Sequence, residues 1–332
     1  MSNIARLLDG VISLIIKGNR AAVIFLQDVS SKKIRNSGKC LGCGFFRSKG
    51  TASRFRPFMD CFLLTLQTNC ESDKSKYMEY QYPFGETVQP LVQQDRTAKT
   101  VFVLGVYASA VHARWRKGNK IICQALAVAS EPRIFWDGNP EEAKTIIDRI
   151  HIPTELGTLE PTGSHLNGPS AKVLDEHILG PLGYTRKDAW LCDLLPETRL
   201  NTSQVRILKT EYEPKMEQYG LNPVTIPKRP TVFCDHRRCK EILSELEESQ
   251  ASLLVLLGDI PIQQFLNRIT LVNYTSLQEY VNVYGYGNPS QTLINGRNIN
   301  ILPLAHPRQI GELGAHSKKW YQHHKEWENS IK

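Results

Sequence analysis

Long apolar runs are what this chain of 332 residues most plainly lacks. A membrane-spanning helix needs roughly 18 such residues in a row. The longest stretches here, such as Leu253–Leu257, are strand-sized. A secretory leader is not expected either, because Asp9 breaks the apolar stretch from Ile4 to Ile16 and no small-residue cleavage site follows. With 41% hydrophobic and 22% charged residues, the composition excludes a disordered or fibrous chain. Internal repeats and low-complexity tracts are absent too. A cytoplasmic, globular protein is expected, and its eight cysteines read as thiols or metal ligands before disulfides.

What is present is a net charge of +8, unevenly placed. Residues 1–56 hold eleven Lys and Arg against Asp9 and Asp28, so this segment is +9 and the remainder is close to neutral. A concentrated basic region fits either a polyanionic partner, most often nucleic acid, or a solvated basic surface. An amphipathic helix is expected at the start, with Ile4, Leu7, Leu8, Val11, Ile12 and Ile15 on one stripe. Residues 71–97 are polar and tyrosine-rich and read as a linker, dividing a basic segment, 1–97, from a domain, 98–332.

Beyond residue 98 the texture changes. Short apolar runs at Val101–Leu104, Ile121–Val128, Trp190–Leu195, Leu253–Leu257 and Ile299–Leu304 predict strands. Helices are expected over Ala171–Leu182, opened by Asn167-Gly-Pro-Ser170, and over Lys240–Ser249. This alternation predicts an α/β fold with a mainly parallel central sheet. Ligands in such sheets bind beyond the carboxyl ends of the strands. Those ends carry Gly105-Val-Tyr-Ala-Ser109, Asp193, Gly258-Asp259 and His306-Pro307.

These strand ends, in this order, resemble the uracil-DNA glycosylase superfamily over roughly residues 98–332. The resemblance implies a three-layer α/β/α fold and an enzyme that flips a base out of DNA into a pocket. By that likeness, His306 donates to the base carbonyl as negative charge develops there. Asp193 takes the place of the family's base-reading asparagine, and Ser170 that of a serine pinching the DNA backbone. Arg308-Gln309-Ile310 through Leu313 would form the loop entering the duplex, with Ile310 or Leu313 as an apolar wedge and Arg308 on phosphate. Phe135 and Trp136 suit stacking on the flipped base or, equally, core packing. His112 and Arg114, in Val111-His-Ala-Arg-Trp115, suit phosphate contact, and His112 also water positioning.

Three departures from the uracil pattern point elsewhere. Asp193 as a carboxylate only accepts hydrogen bonds, which suits the exocyclic amine of cytosine. The aromatic gate against 5-substituents falls on Ser109, which is small, as are its neighbours. The water-activating aspartate falls on Tyr107, a poor general base, and Glu131 is the nearest substitute, or else an exposed turn glutamate. The resemblance with these changes implies a monofunctional glycosylase for a 5-modified cytosine, such as the glucosylated hydroxymethylcytosine of some phages, in bacterial antiviral defence. No lysine stands out as a Schiff-base nucleophile. Alternatives are a repair glycosylase for uracil or a damaged base, a non-catalytic sensor of modified DNA, and a hydrolase of small nucleosides.

No catalytic cofactor is expected. Cys40-Leu-Gly-Cys43 has zinc-knuckle spacing, and Cys61 and Cys70 would complete a four-thiolate set. Structural zinc, a 4Fe-4S cluster and free thiols all stay open for these four. Cys123, Cys192, Cys234 and Cys239 read as packing or surface thiols. Arg47, Lys49, Arg54 and Arg56 are placed to follow a DNA backbone.

Overall fold

A computed structural model describes residues 79–163, 165–312 and 316–331. Eight strands run in chain order: β1 (Val101–Tyr107), β2 (Ala110–Lys117), β3 (Lys120–Ser130), β4 (Thr158–Pro161), β5 (Ala189–Leu195), β6 (Leu253–Leu257), β7 (Ser290–Ile294) and β8 (Arg297–Leu304). They form two sheets. A five-stranded sheet has the order β5-β1-β6-β8-β7, parallel except for the edge strand β7, which pairs antiparallel with β8. A three-stranded antiparallel sheet has the order β3-β2-β4. The fold is therefore mixed α/β with a mainly parallel main sheet. No helix among the described residues is long and apolar enough to cross a membrane.

The two sheets differ for a reason visible in their residues. In the main sheet, Val101 to Leu104 and Leu254 to Leu257 are buried without a break, as parallel strands covered on both faces must be. In β2, buried Val111, Ala113 and Trp115 alternate with more exposed His112, Arg114 and Arg116. That alternation marks a half-covered antiparallel strand. The Arg/Lys cluster obscures it, and β2, β4 and β7 were not expected from sequence. The run Ile121–Val128 is a strand, but it belongs to this second sheet rather than to the parallel one. A second core forms here around Trp115, Leu126, Trp136 and Tyr212. Trp115 Nε1 donates to the Leu156 carbonyl at 2.8 Å.

Six helices matter for the site: α1 (Pro140–Ile147), α2 (Pro169–Val173), α3 (His236–Ser249), α4 (Leu277–Tyr284), α5 (Pro307–Ile310) and α6 (Ser317–Ser330). The expected helix over Ala171–Leu182 is α2 followed by a π-helical turn, Leu174–Leu179. α3 starts before Lys240, because Asp235 Oδ1 accepts from Arg238 N–H at 2.7 Å and caps it.

Residues 79–97 are not a free linker. Tyr82 is fully buried, and Leu91 N–H donates to the Pro196 carbonyl at 2.8 Å. Gln93 Oε1 accepts from Leu191 N–H at 3.1 Å, and Arg96 lies 4.6 Å over the Trp190 ring. β5 is an edge strand with open hydrogen-bonding groups, and this polar segment covers them.

Candidate functional site

Parallel pairing puts the carboxyl ends of β1, β5, β6 and β8 along one side of the main sheet. Gly105 lies in register with Asp193, Leu104 with Leu256, and Leu257 with Leu304. The residues singled out from sequence at these ends therefore share an edge because of the topology.

Its acidic end is built over Gly105. A Cβ on Gly105 would lie 2.2 Å from Asp193 Oδ1 and 2.8 Å from Phe135 Cζ. Only glycine lets a carboxyl and a phenyl ring meet over bare backbone in this way. Phe135 itself has φ +48°, a left-handed conformation that costs a phenylalanine about 1–2 kcal/mol. The loop holds it there from both sides. Trp136 is fully buried, its Nε1 donating to Glu142 Oε2 at 2.6 Å, and Arg133 pairs with Asp137 and Glu142. Gly138 and Gly168 pack backbone against backbone, so the Asn167–Ser170 loop is locked to the same segment. Of the expected stacking pair, Trp136 is core and Phe135 is the residue that lies over Gly105 beside Asp193.

Asp193 and Glu131 are each only 5% exposed. Burial pushes Asp193 up to about 7, against the pull of Arg238. Burial, with the negative charge of Asp193 added, pushes Glu131 up to about 8. The Trp136 backbone N–H and the Ser109 hydroxyl oppose that by hydrogen bonding to Glu131, and the Arg186 charge helps them. Glu131 is thus a buried carboxyl and not an exposed turn residue. Ser109 is exposed and stands at the rim. A protonated Asp193 also changes its hydrogen bonding, since it then donates as well as accepts.

Tyr107 stacks on Phe233, with ring centroids 6.3 Å apart and planes at 19°. Arg229 lies 5.2 Å over the other partner of that stack, Phe233.

The basic end is His306, half-buried after β8. It caps α5: its Nδ1 accepts from Arg308 N–H at 3.2 Å. That bond leaves the proton on Nε2. Burial, then the charges of Arg308 and Arg229, lower His306 to about 4, so the ring is a neutral donor. Gly258, at φ +85°, admits His306 closely; a Cβ there would sit 3.2 Å from His306 Cβ. A chain of bonds fixes the strand end from behind. Ala305 N–H donates to Tyr286 Oη at 3.1 Å, Tyr286 bonds His324 Nδ1 at 2.6 Å, and His324 Nε2 reaches the His177 carbonyl at 2.7 Å.

Around this loop, α5 packs on α2, with Gly311 against Val173. Ser170, in the first turn of α2, is thereby brought to the His306 side. Asn167 clamps β2 to the loop, Oδ1 accepting from His112 N–H at 2.9 Å and Nδ2 donating to His112 O at 3.1 Å. Arg308 acts electrostatically on both His112 and His306, lowering each. Arg114 lies 4.0 Å from Glu160 on β4, and Arg116 is 3.6 Å from the same carboxylate, leaving surplus positive charge there.

Two expectations for the loop need correction. Ile310 is 4% exposed and belongs to the main core, because α5 turns its apolar residue inward against α2. It is not presented as a wedge. Gln309 Oε1 accepts from His306 N–H at 3.3 Å, so Gln309 completes the cap of α5. Leu313 lies outside the described residues, as do Cys40, Cys43, Cys61 and Cys70. Among the described residues no group of three or more His, Cys, Asp and Glu side chains is placed to hold a metal. Cys123, Cys192, Cys234 and Cys239 are buried free thiols.

Sequence reasoning missed Arg229, Tyr286, His324 and Arg238. Arg238 donates to the carbonyls of Asp193 at 2.7 Å and Leu194 at 3.2 Å, and pairs with Glu245, bracing the end of β5. The sequence around Arg238, Cys234-Asp-His-Arg-Arg-Cys239, is a dense polar cluster, the one local sign of it. No protein-family model and no curated protein matches this chain.

Proposed function

We propose that this protein is a monofunctional DNA glycosylase of the uracil-DNA glycosylase type, with a three-layer α/β/α fold, acting in the cytoplasm on a 5-modified cytosine of phage DNA. The observation that carries the reading is the meeting of Asp193 and Phe135 over the bare backbone of Gly105, at the carboxyl ends of parallel strands, with the buried carboxyl of Glu131 within reach of the Asp193 charge.

In this reading a base flips out of the duplex and stacks on Phe135 while Asp193 engages its Watson–Crick edge. Small Ser109 at the rim leaves room for a substituent at carbon 5. The C1′–N1 bond breaks with its electron pair leaving on the base, and His306 Nε2–H meets the charge developing on the carbonyl oxygen. Water oriented by Glu131 bonds to C1′, and an abasic site remains. Ser170, His112, Arg114 and Arg308 contact phosphates beside the lesion, and the +9 segment 1–56 holds the polymer.

A second reading, excision of uracil, draws on the same aspartate. A protonated carboxyl offers one donor and one acceptor, as an asparagine amide does. A panel of duplexes carrying cytosine, uracil, 5-hydroxymethylcytosine or its glucoside separates the two, with abasic sites read by alkaline cleavage. Release from the modified cytosines alone is expected. Release from uracil alone overturns the base assignment and keeps the enzyme. Tight binding without release from any duplex makes the protein a sensor.

A further inference from the structure

The hairpin of β2 and β3 carries charge of one sign. Residues 110–130 include Arg114, Arg116, Lys117 and Lys120 and no aspartate or glutamate. Alternation along β2 buries Val111, Ala113 and Trp115 on one face and puts His112, Arg114 and Arg116 on the other. A carboxylate from β4 stands beside the two arginines. Glu160, opposite Arg114 in the strand register, lies 4.0 Å from Arg114 Nη1 and 3.6 Å from Arg116 Nη1 through the same oxygen, Oε2. Both distances exceed a hydrogen bond, so Glu160 attracts the guanidiniums without filling their donors. The Nε of each arginine is buried and has no hydrogen-bond partner among the described residues. A buried N–H in that state costs free energy, and two in a row call for an acceptor.

We propose that the outer face of β2 is a track for one DNA strand, with successive phosphates seated on Arg114 and Arg116. The inference rests on DNA as the partner and extends that reading: Arg114 is not an isolated contact, and Arg116 becomes a binding residue. The Nε–Nη2 edge of a guanidinium, the edge Glu160 does not approach, takes two oxygens of a phosphate at once. The side chains keep 30% and 32% of their surface exposed, so an incoming anion can meet them. Residues i and i+2 of a strand stand about 6–7 Å apart, close to the step between successive phosphates of one strand. β2 is also held rigidly. Asn167 bonds both the N–H and the carbonyl of His112, at 2.9 and 3.1 Å, and Trp115 Nε1 donates to the Leu156 carbonyl at 2.8 Å on the other face. Asn167 opens the loop that leads to Ser170, which ties this row of cations to the His306 side of the strand edge. Charge decides against two other occupants. The +9 segment 1–56 and the hairpin of a second copy are both positive and would be repelled. An acidic protein has the right sign but no fixed anion repeat to match two arginines.

The test uses the full chain, an unmodified duplex and one of its single strands, with affinity read by fluorescence anisotropy against salt. A double variant, Arg114→Gln with Arg116→Gln, should show a log–log slope shallower than wild type by about 1.8 on the duplex, or about 1.4 on the single strand, as two phosphates are no longer neutralised. Arg114→Lys with Arg116→Lys should keep the slope and bind more weakly, because lysine carries the charge without the two-oxygen edge. An unchanged slope in the glutamine variant, or a lysine variant that binds as tightly as wild type, overturns the track. Poly-glutamate that binds wild type as tightly as a single strand of equal charge reassigns the face to an acidic protein and overturns it too. Excision by wild type on a modified-cytosine duplex is scored separately. Excision with an unchanged slope leaves the glycosylase reading intact without the track, whereas a shallower slope with no excision from any duplex keeps the track and overturns the enzyme.

Discussion

The acidic and basic ends of this strand edge answer the same physical demand with opposite signs. Both are removed from water. Burial makes Asp193 and Glu131 keep protons and makes His306 lose one. The result is that all three groups are shifted toward their neutral forms. Residue type alone therefore misjudges both ends. Asp193, read as an acceptor only, is shifted toward a form that can also donate, and His306 is held as a neutral donor with its tautomer set by Arg308 N–H.

The largest effect that would break this comparison is on catalysis. His306→Ala should lower single-turnover excision by about 10²–10³-fold while DNA affinity changes little, because the missing bond matters chiefly as charge develops. Equal losses in affinity and rate would show that His306 only shapes the loop.

The next effect is on stability, and the two ends should differ in sign. The raised carboxyls mean that the unfolded chain releases protons first between about pH 4 and 8. Their contribution to stability is then lost as pH rises through that window. The lowered His306 acts oppositely: its stability is present above its unfolded pKa near 6.5 and is lost as pH falls toward about 4. Thermal melting should therefore show Asp193→Asn and Glu131→Gln stabilised relative to wild type at pH 8.5, by on the order of 2 kcal/mol each, with the difference shrinking as pH falls through 5 toward the unfolded pKa values. A destabilisation by both at high pH would remove burial as the dominant cause.

Smaller, but sharper in location, is Gly105→Ala. The new methyl meets Asp193 Oδ1, so a loss of about 1–3 kcal/mol is expected, together with loss of base-specific binding. A comparable cost of about 1–3 kcal/mol at the other end is expected for Tyr286→Phe, which strips Ala305 N–H and His324 of their partner. Chemical denaturation measures both. The smallest effect per residue is expected in the basic segment 1–56. Replacing Arg47, Lys49, Arg54 and Arg56 by Gln should flatten the salt dependence of DNA affinity, by about 0.9 in log–log slope for each phosphate no longer neutralised. Base selectivity should be unchanged.

Much of the main sheet was legible because its strands are unbroken apolar runs, and a run of that kind fits only a strand covered on both faces. β2 was harder, since its Arg114 and Arg116 look like a surface cluster until Val111, Ala113 and Trp115 are seen to alternate with them. Residues 79–97 misled in the other direction: a polar composition such as Gln93 and Arg96 reads as a linker, but here it satisfies an open sheet edge and covers Trp190. Ile310 was misjudged because a short apolar stretch after a histidine gives no sign of which way its helix turns.

By itself the sequence marked β1, β5, β6 and β8, and therefore the residues at their carboxyl ends, Gly105, Asp193, Gly258 and His306, but not that Ile121–Val128 belongs to the other sheet. It also determined where positive charge is concentrated. Only tertiary structure decided what those residues are chemically. A carboxyl's proton depends on the water removed around it and on charges that arrive from distant parts of the chain, as Glu131 reaches Asp193 and Arg229 reaches His306. Burial and such neighbours have no local signature, because desolvation is a property of the packed whole.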